Sequence, residues 1–194
     1  FKLKKIIIER GNGMKKRILI ILGIIMMFIV SCGGKHPAVK DFEDNMKIVQ
    51  SGDTNKISNK SNKTFSSDVT PEMKAALGEG FKKITYKINK TTVNKDEVLI
   101  NVTMQSPDLS GYIKEISQKI VGSLGQMQGK TEDEIGKEAE KISVELIKEK
   151  VKSGKTKEKT FDVLYKKTGD KWEPDPTANK ELFDMLTMNM ANVE

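Results

Sequence analysis

The chain has 194 residues, of which 37% are hydrophobic and 31% charged, so it is long enough for one domain with a buried core and a well-solvated surface. The formal net charge of +7 suggests nucleic acid as a partner, but seven of the 34 basic residues and only one of the 27 acidic residues precede Cys32. The remainder is nearly neutral. It also lacks arginine, the residue best suited to bidentate phosphate and base contacts, which argues against nucleic acid.

The first segment, residues 1–13, is interpreted as an upstream extension that is not translated. The tripeptide Glu9-Arg10-Gly11 can be encoded by a purine-rich sequence that resembles a ribosome-binding site, and Met14 follows shortly after it. We therefore expect translation to begin at Met14.

Residues 14–31 have the layout of a secretory signal. Three basic residues follow Met14, and the apolar run Ile18–Val30 comes next. This run is shorter than the roughly 20 residues that a membrane-spanning helix needs. The segment is therefore predicted to direct export.

The apolar run ends in Ile29-Val30-Ser31-Cys32-Gly33, which resembles the lipobox of bacterial lipoproteins. The resemblance implies that Cys32 carries a diacylglycerol thioether, with fatty acids such as palmitate, and becomes the first residue of the mature protein. It also implies anchoring to the cell membrane or the outer membrane. The alternative is an ordinary signal peptide or membrane anchor with an incidental cysteine. Cys32 is the one cysteine of the sequence, so no disulfide can form within the chain.

The mature chain is predicted to begin with a flexible tether, residues 32–36, followed by a single domain over residues 37–190. Apolar residues at three- and four-residue steps predict a helix over residues 38–50. Residues 53–68 are polar and indicate a loop or a weak helix. Thr70, followed by proline, is the predicted N-cap of a second, short helix.

Alternating apolar and polar residues predict strands over Ile84–Ile88 and Val98–Met104, with Asn94-Lys95-Asp96 as the turn between them. A third strand is predicted at Phe161–Tyr165 and a short fourth strand around Trp172. Short turns favour antiparallel pairing. The predicted fold class is therefore α+β, with a curved antiparallel sheet of about four strands packed against helices.

Two helices are predicted between the second and third strands. The first has an apolar stripe formed by Ile113, Ile116, Ile120 and Leu124. The second begins at a capping box, Thr131 to Glu134, and ends near Lys152. A last helix is predicted to be capped by Asp175-Pro176, with an apolar side formed by Leu182, Phe183, Leu186 and Met190.

Two motifs carry a resemblance to a known superfamily: a first helix ending in Gln50-Ser51-Gly52-Asp53, and the late hairpin Lys166–Trp172. Together they resemble small bacterial lipoproteins with a cystatin-like domain of the nuclear-transport-factor-two superfamily. The resemblance covers about residues 37–190 and implies that the first helix packs into the hollow of the curved sheet. The two helices between Ser110 and Lys152 are additional to a minimal domain of that kind.

Some relatives in that superfamily are enzymes with an acid, histidine or tyrosine inside the hollow. Here the one histidine, His36, is predicted to lie in the tether outside the folded part, and Asp162 to face solvent. We therefore predict no catalytic residue, no metal site and no cofactor. The aromatic candidates for lining the hollow are Tyr86, Phe161, Tyr165 and Trp172.

The segment Lys148–Lys171 carries an excess of five positive charges. A basic surface near a membrane anchor can contact anionic lipid or a cell-surface polymer. The candidate contacts are Lys155, Lys157, Lys159, Lys166 and Lys167. The alternative is a solvated strand edge that lysines protect from aggregation.

These features predict a non-catalytic binding module at the bacterial cell envelope, attached to the membrane through the lipid on Cys32. An envelope protein or a small molecule is the expected ligand. A structural or envelope-assembly partner is the second hypothesis, and an enzyme that uses the hollow is the third.

Overall fold

The computed structural model describes residues 34–61, 69–123, 125 and 128–190, so the predicted signal segment and Cys32 lie outside the described residues. The helices and strands, in chain order, are α1 (Pro37–Gln50), α2 (Thr54–Ser61), α3 (Pro71–Phe81), β1 (Thr85–Val93), β2 (Glu97–Pro107), α4 (Tyr112–Ser123), α5 (Glu132–Ser153), β3 (Thr156–Thr168), β4 (Lys171–Pro174) and α6 (Lys180–Leu186). The predicted α+β class is confirmed. The segment predicted as a loop or weak helix contains α2.

The four strands form one antiparallel sheet in the order β1-β2-β3-β4. One face is buried, because alternate residues of β2 and β3 point toward the helices. The core residues on this face are Val98, Ile100, Val102, Met104, Phe161, Val163 and Tyr165. On the opposite face Asn101 accepts a hydrogen bond from Asn89 (3.1 Å) and donates one to Asp162 (2.6 Å). Asp162 is exposed, as predicted.

The two edges of the sheet differ. β1 has a bulge, because the register with β2 shifts between Ile88 and Lys90. β3 pairs with β2 from end to end without a shift, but β4 pairs only with its last four residues, Tyr165–Thr168. Just beyond β4, the Asn179 side chain accepts from the Leu164 N–H (2.8 Å) and donates to the Leu164 carbonyl (2.9 Å). The amide of Asn179 thus replaces one residue of a strand.

Helix α1 crosses the buried face of the sheet from β4 to the start of β1. Phe42 and Met46 are buried in the core, where each stabilises the fold by about 1.5–3 kcal/mol. At the far end, the Gln50 side chain donates to the Ile84 carbonyl at 2.8 Å. Pro37 stands at the first helical position, where its missing N–H costs nothing.

Helices α4 and α5 are the two helices that the sequence places before β3. The predicted capping box of α5 is confirmed, since Thr131 and Glu134 each bond the other's backbone N–H. The apolar stripe of α4 is only partly buried. Ile113 is 54% exposed, whereas Ile116 packs against the core. Val121, which lies outside the stripe, is 65% exposed. The predicted helix is confirmed, and Ile113 lies at the solvent-exposed border of its apolar stripe.

The C-terminal segment differs from its prediction in two respects. Asp175 accepts hydrogen bonds within the turn that follows it, from Thr177 and the Ala178 N–H, and α6 begins later, at Lys180. Asp175 therefore caps a turn and not a helix. This turn places the Asn179 side chain against Leu164 of β3 before α6 begins. Phe183 is 46% exposed, so it does not belong to the buried side of α6.

Candidate functional site: the anchor-proximal end and the sheet surfaces

His36 packs on the domain, which corrects the prediction that it lies free in the tether. Its Nδ1 accepts a hydrogen bond from the Ala38 N–H at 3.2 Å and caps α1. Its ring contacts Trp172 of β4 edge to face, with ring centroids 4.8 Å apart. Burial lowers the pKa of His36. The sequence offered no local signal for this contact, because the two residues are far apart in the chain.

The turn between β3 and β4 lies beside this contact. Lys166 forms an ion pair with Asp175 at 2.7 Å, and its hydrogen bond holds the pKa of the Asp175 carboxyl well below the usual value. Lys167 pairs with Trp172 in the register of the sheet, and Lys171 precedes Trp172. Neither Lys167 nor Lys171 has an acidic partner among the described residues. The His36 end of the domain therefore carries two lysines outside ion pairs, together with two exposed acidic residues of the same hairpin, Asp170 and Glu173.

The five predicted lysine contacts do not form one patch. Lys166 and Lys167 lie at the β4 end of β3, and Lys155, Lys157 and Lys159 lie at the other end. The nine residue steps from Lys157 to Lys166 correspond to about 30 Å along a strand. Lys159 is paired with Glu181 at 3.3 Å. The structure thus separates two basic groups that sequence proximity had joined.

The four aromatic residues predicted to line the hollow lie at the buried face of the sheet. Tyr165 is 1% exposed, Phe161 is also buried, and Tyr86 stacks edge to face on Phe42 of α1 with ring centroids 5.3 Å apart. Trp172 contacts His36. Tyr86 and Tyr165 contact α1 through Phe42 and Asp41; the role of the four side chains in ligand binding stays a prediction.

A polar cluster that the sequence did not indicate lies where α1 crosses β3. The Tyr165 hydroxyl donates to Asp41 Oδ2 at 3.2 Å, and Asn45 Nδ2 donates to the same oxygen at 2.8 Å. Burial, together with the Asp41 charge, raises the pKa of Tyr165 well above its usual value. Asn45 Oδ1 is buried and has no hydrogen-bond partner among the described residues.

Two adjoining open depressions lie around Gly52, where the α1–α2 turn meets α3. Their volumes are about 310 Å³ and about 380 Å³. The lining residues are Gly52, Asp53, Thr54, Asn55, Pro71, Lys74, Ala75, Ala76, Gly78, Glu79, Lys82 and Lys148. A backbone hydrogen bond from Lys56 lowers the pKa of Asp53, and the Lys82 side chain lowers the pKa of Glu79. Both shifts thus have local causes, a helix start and a surface ion pair.

The same region contains a close backbone contact. Gly52 has a φ of +68°, and a Cβ atom on Gly78 would lie 2.5 Å from the Gly52 carbonyl oxygen. Only glycine at both positions lets the turn approach α3 so closely. The floor of the depressions is therefore formed by backbone.

Within the described ranges, no group of three or more histidine, cysteine, aspartate or glutamate residues is arranged to hold a metal ion. In the same ranges, none of the helices is both long and apolar enough to cross a bilayer.

No protein-family model matches the chain, and no curated protein is significantly similar to it. Among solved structures, it is similar to ycdA from Bacillus subtilis subsp. subtilis strain 168, a protein assigned as a lipoprotein, with 20% sequence identity and a TM-score of 0.38. The alignment covers 84% of this chain and 48% of ycdA, so the chain spans about half the length of that protein. A TM-score at this level does not establish a common fold, so the likeness decides neither fold nor function.

Proposed function

We propose that the protein is an exported lipoprotein, attached to a bacterial membrane through diacylglycerol on Cys32, whose domain acts as a non-catalytic binding module at the membrane surface. The proposal rests first on the sequence, in which a signal-like segment ends at a lipobox-like motif. The contact between His36 and Trp172 then indicates which end of the domain would face the membrane.

The observation that supports this orientation is that few residues separate the proposed lipid attachment site, Cys32, from the first residue that packs on the domain, His36. His36 already packs on Trp172, and only residues 33–35 separate it from Cys32. Four residue steps span at most about 14 Å. The end of the domain that carries Trp172 and the β3–β4 turn would therefore be held close to the lipid headgroups.

Two lysines at this end would contribute to contact with an anionic membrane surface. Lys167 and Lys171 have no acidic partner among the described residues, and each lysine close to such a surface contributes about 1 kcal/mol to binding. Asp170 and Glu173 of the same hairpin oppose this attraction, so the two lysines would strengthen association by less than about 2 kcal/mol, a factor of less than about 30 in the partition coefficient.

A binding role is favoured over catalysis by the kinds of groups whose pKa is shifted. Within the described ranges they belong to surface ion pairs, helix caps and buried tyrosines, with His36 packed on Trp172 as the remaining case. An active site would instead bring such groups together in one cleft. One observation favours a small-molecule ligand. Asn45 Oδ1, beside Tyr165, is buried and has no hydrogen-bond partner among the described residues.

The first experiment tests the anchor. The full chain and its Cys32→Ala variant are expressed in a bacterium supplied with an alkyne analogue of palmitate, and membrane and soluble fractions are analysed by intact mass spectrometry. We expect label and a diacylglycerol mass on the wild-type protein, beginning at Cys32, and neither on the variant. An unlabelled wild-type protein that retains residues 14–31 would refute lipid anchoring.

The second experiment tests the orientation. Trp172 is the one tryptophan of the sequence, so its fluorescence in vesicles with brominated acyl chains reports the depth of this end of the domain. We expect bromines placed near the headgroups to quench the lipidated full chain more than bromines deep in the acyl chains do. The Lys167→Gln/Lys171→Gln variant should weaken quenching in anionic vesicles, whereas a matched Lys155→Gln/Lys157→Gln variant should not. Equal effects of the two variants would refute the orientation.

A further inference from the structure

The edge of β3 that faces away from β2 is open over much of its length. β4 covers only Tyr165–Thr168, and the Asn179 amide occupies the backbone groups of Leu164. Among the described residues, the stretch 156–163 therefore has a neighbouring strand on one side only. Such an edge is a template for the addition of another strand.

The backbone groups that face this edge follow from the register. In a strand, the N–H and C=O of one residue point to the same side, and those of the next residue point to the other side. The Leu164 groups point away from β2, whereas the Lys167 N–H donates toward β2, to the Asp96 carbonyl. The backbone N–H and C=O groups that point away from β2, as those of Leu164 do, belong to Thr156, Glu158, Thr160 and Asp162. In the described part of the chain, their backbone groups on this edge have no hydrogen-bond partner, and the row is about 20 Å long.

Antiparallel pairing of the open edge with the same edge of a second copy is disfavoured. In antiparallel pairing about a two-fold axis, an axis at Glu158 or Lys159 sets that residue opposite itself, and an axis at residue 160 sets Glu158 opposite Asp162. Like charges directly opposite each other destabilise a strand pair. An axis closer to Leu164 would meet the Asn179 amide.

We propose that the open edge of β3 binds an extended, basic segment of a partner protein by strand addition. This inference rests on the proposed binding function and adds the site and the class of partner. Glu158 and Asp162 are exposed on the same face of the sheet, about 13 Å apart along the strand. Asp162 accepts a hydrogen bond from Asn101 at 2.6 Å, which holds its carboxylate on that face. The matching segment therefore has basic side chains four residues apart on that face, with a neutral one between them opposite Thr160, and uncharged side chains on the other face, where Lys157 and Lys159 lie.

The test uses the full chain in detergent micelles with a nine-residue peptide centred on Lys-Val-Thr-Val-Lys, and a second peptide with glutamate in place of both lysines. Hydrogen exchange resolved to single residues is the readout. With the lysine peptide we expect the N–H groups of Glu158, Thr160 and Asp162 to exchange at least about tenfold more slowly. Those of Phe161 and Val163, which already point to β2, should not change. The glutamate peptide should bind about tenfold more weakly.

Thr160→Pro removes one outward N–H and leaves the ladder to β2 intact, so it should abolish peptide binding. The matched control is Val93→Pro in β1, whose N–H also points away from β2 and which should leave binding unchanged. A charge-reversed variant, Glu158→Lys/Asp162→Lys, covers the case in which the proline variant does not fold. It should prefer the glutamate peptide.

Three results would overturn strand addition: equal binding of both peptides by the wild-type chain, protection of alternate residues at β1 instead, or an edge occupied by a second copy in sedimentation. If lipid labelling and the lysine dependence of membrane binding hold while no peptide protects the edge, strand addition alone is refuted. If the peptide protects the edge while the labelling fails, the anchor is refuted and the binding site remains.

Discussion

Replacing Asn179 with alanine should destabilise the domain strongly for a residue outside the regular helices and strands. Asn179 is 1% exposed, and its side chain is bonded to both backbone groups of Leu164. It stands at the N-cap position of α6 but makes no capping hydrogen bond there, because its amide is turned to β3.

The magnitude follows from what each group loses. The Leu164 carbonyl keeps a second donor, the Asp175 N–H at 2.9 Å, so its loss costs about 1 kcal/mol. The Leu164 N–H loses the acceptor that Asn179 provides, and an unsatisfied buried donor costs about 1–3 kcal/mol. The sum is about 2–4 kcal/mol, a large share of the about 5–15 kcal/mol by which a domain is stable.

Chemical and thermal unfolding, followed by far-ultraviolet circular dichroism and Trp172 fluorescence, measure this loss. A change of about 3 kcal/mol should lower the Tm by about 6–12 °C in a domain of this size. The control is Asn89→Ala, since the Asn89 amide bonds only to exposed side chains and its loss should cost under about 0.5 kcal/mol. If the two variants were equally stable, the strand-like role of Asn179 would be wrong.

Gly78→Ala should lower the free energy of unfolding by about 1–3 kcal/mol, because its Cβ would clash with the Gly52 carbonyl oxygen, whereas Gly136→Ala, in open space on α5, should raise it by about 0.5–1 kcal/mol; denaturant midpoints decide both. Thr131→Ala removes the N-cap of α5 and should cost about 1 kcal/mol, measured in the same way. His36 should titrate in NMR below its usual pKa of 6.5. Since the folded state then binds fewer protons, His36 contributes stability that is present above pH 6.5 and lost as the pH falls through the folded-state pKa; a midpoint above 6.5 would contradict this.

The sheet was predictable from sequence because its signals are local. The alternation of Val98, Ile100, Val102 and Met104 with polar residues gives β2 its buried face, and the structure confirms that face. The N-cap at Thr70 is also confirmed, since it accepts from the Met73 N–H. These features depend on residues within a few positions of each other.

The features that sequence reasoning missed depend on distant partners. The contact between His36 and Trp172 joins the two ends of the domain. The sequence does not show this contact, so the short polar stretch after Cys32 has only the appearance of a tether. Asp175 followed by proline is typical of a helix cap. In the structure, however, residues 175–179 form a turn in which Asn179 bonds to the Leu164 backbone, and the helix begins at Lys180. The candidate site at the edge of β3 is likewise visible only from the register: Pro174 and Pro176 indicate that β4 is short, but not which residues of β3 it covers.

The bulge in β1 has a consequence for aggregation. Assembly of sheets into a fibril requires two pairing-competent edges on every unit, one to receive and one to offer a strand. This sheet is irregular at one edge, where the register breaks between Ile88 and Lys90, and regular at the other. When an extended strand adds to β3, the opposite edge of the same sheet, at β1, is irregular. A further strand is therefore not expected to add there and continue the sheet. The domain would end a growing sheet after a single addition, so the proposed strand addition at β3 would capture an extended segment without seeding a polymer.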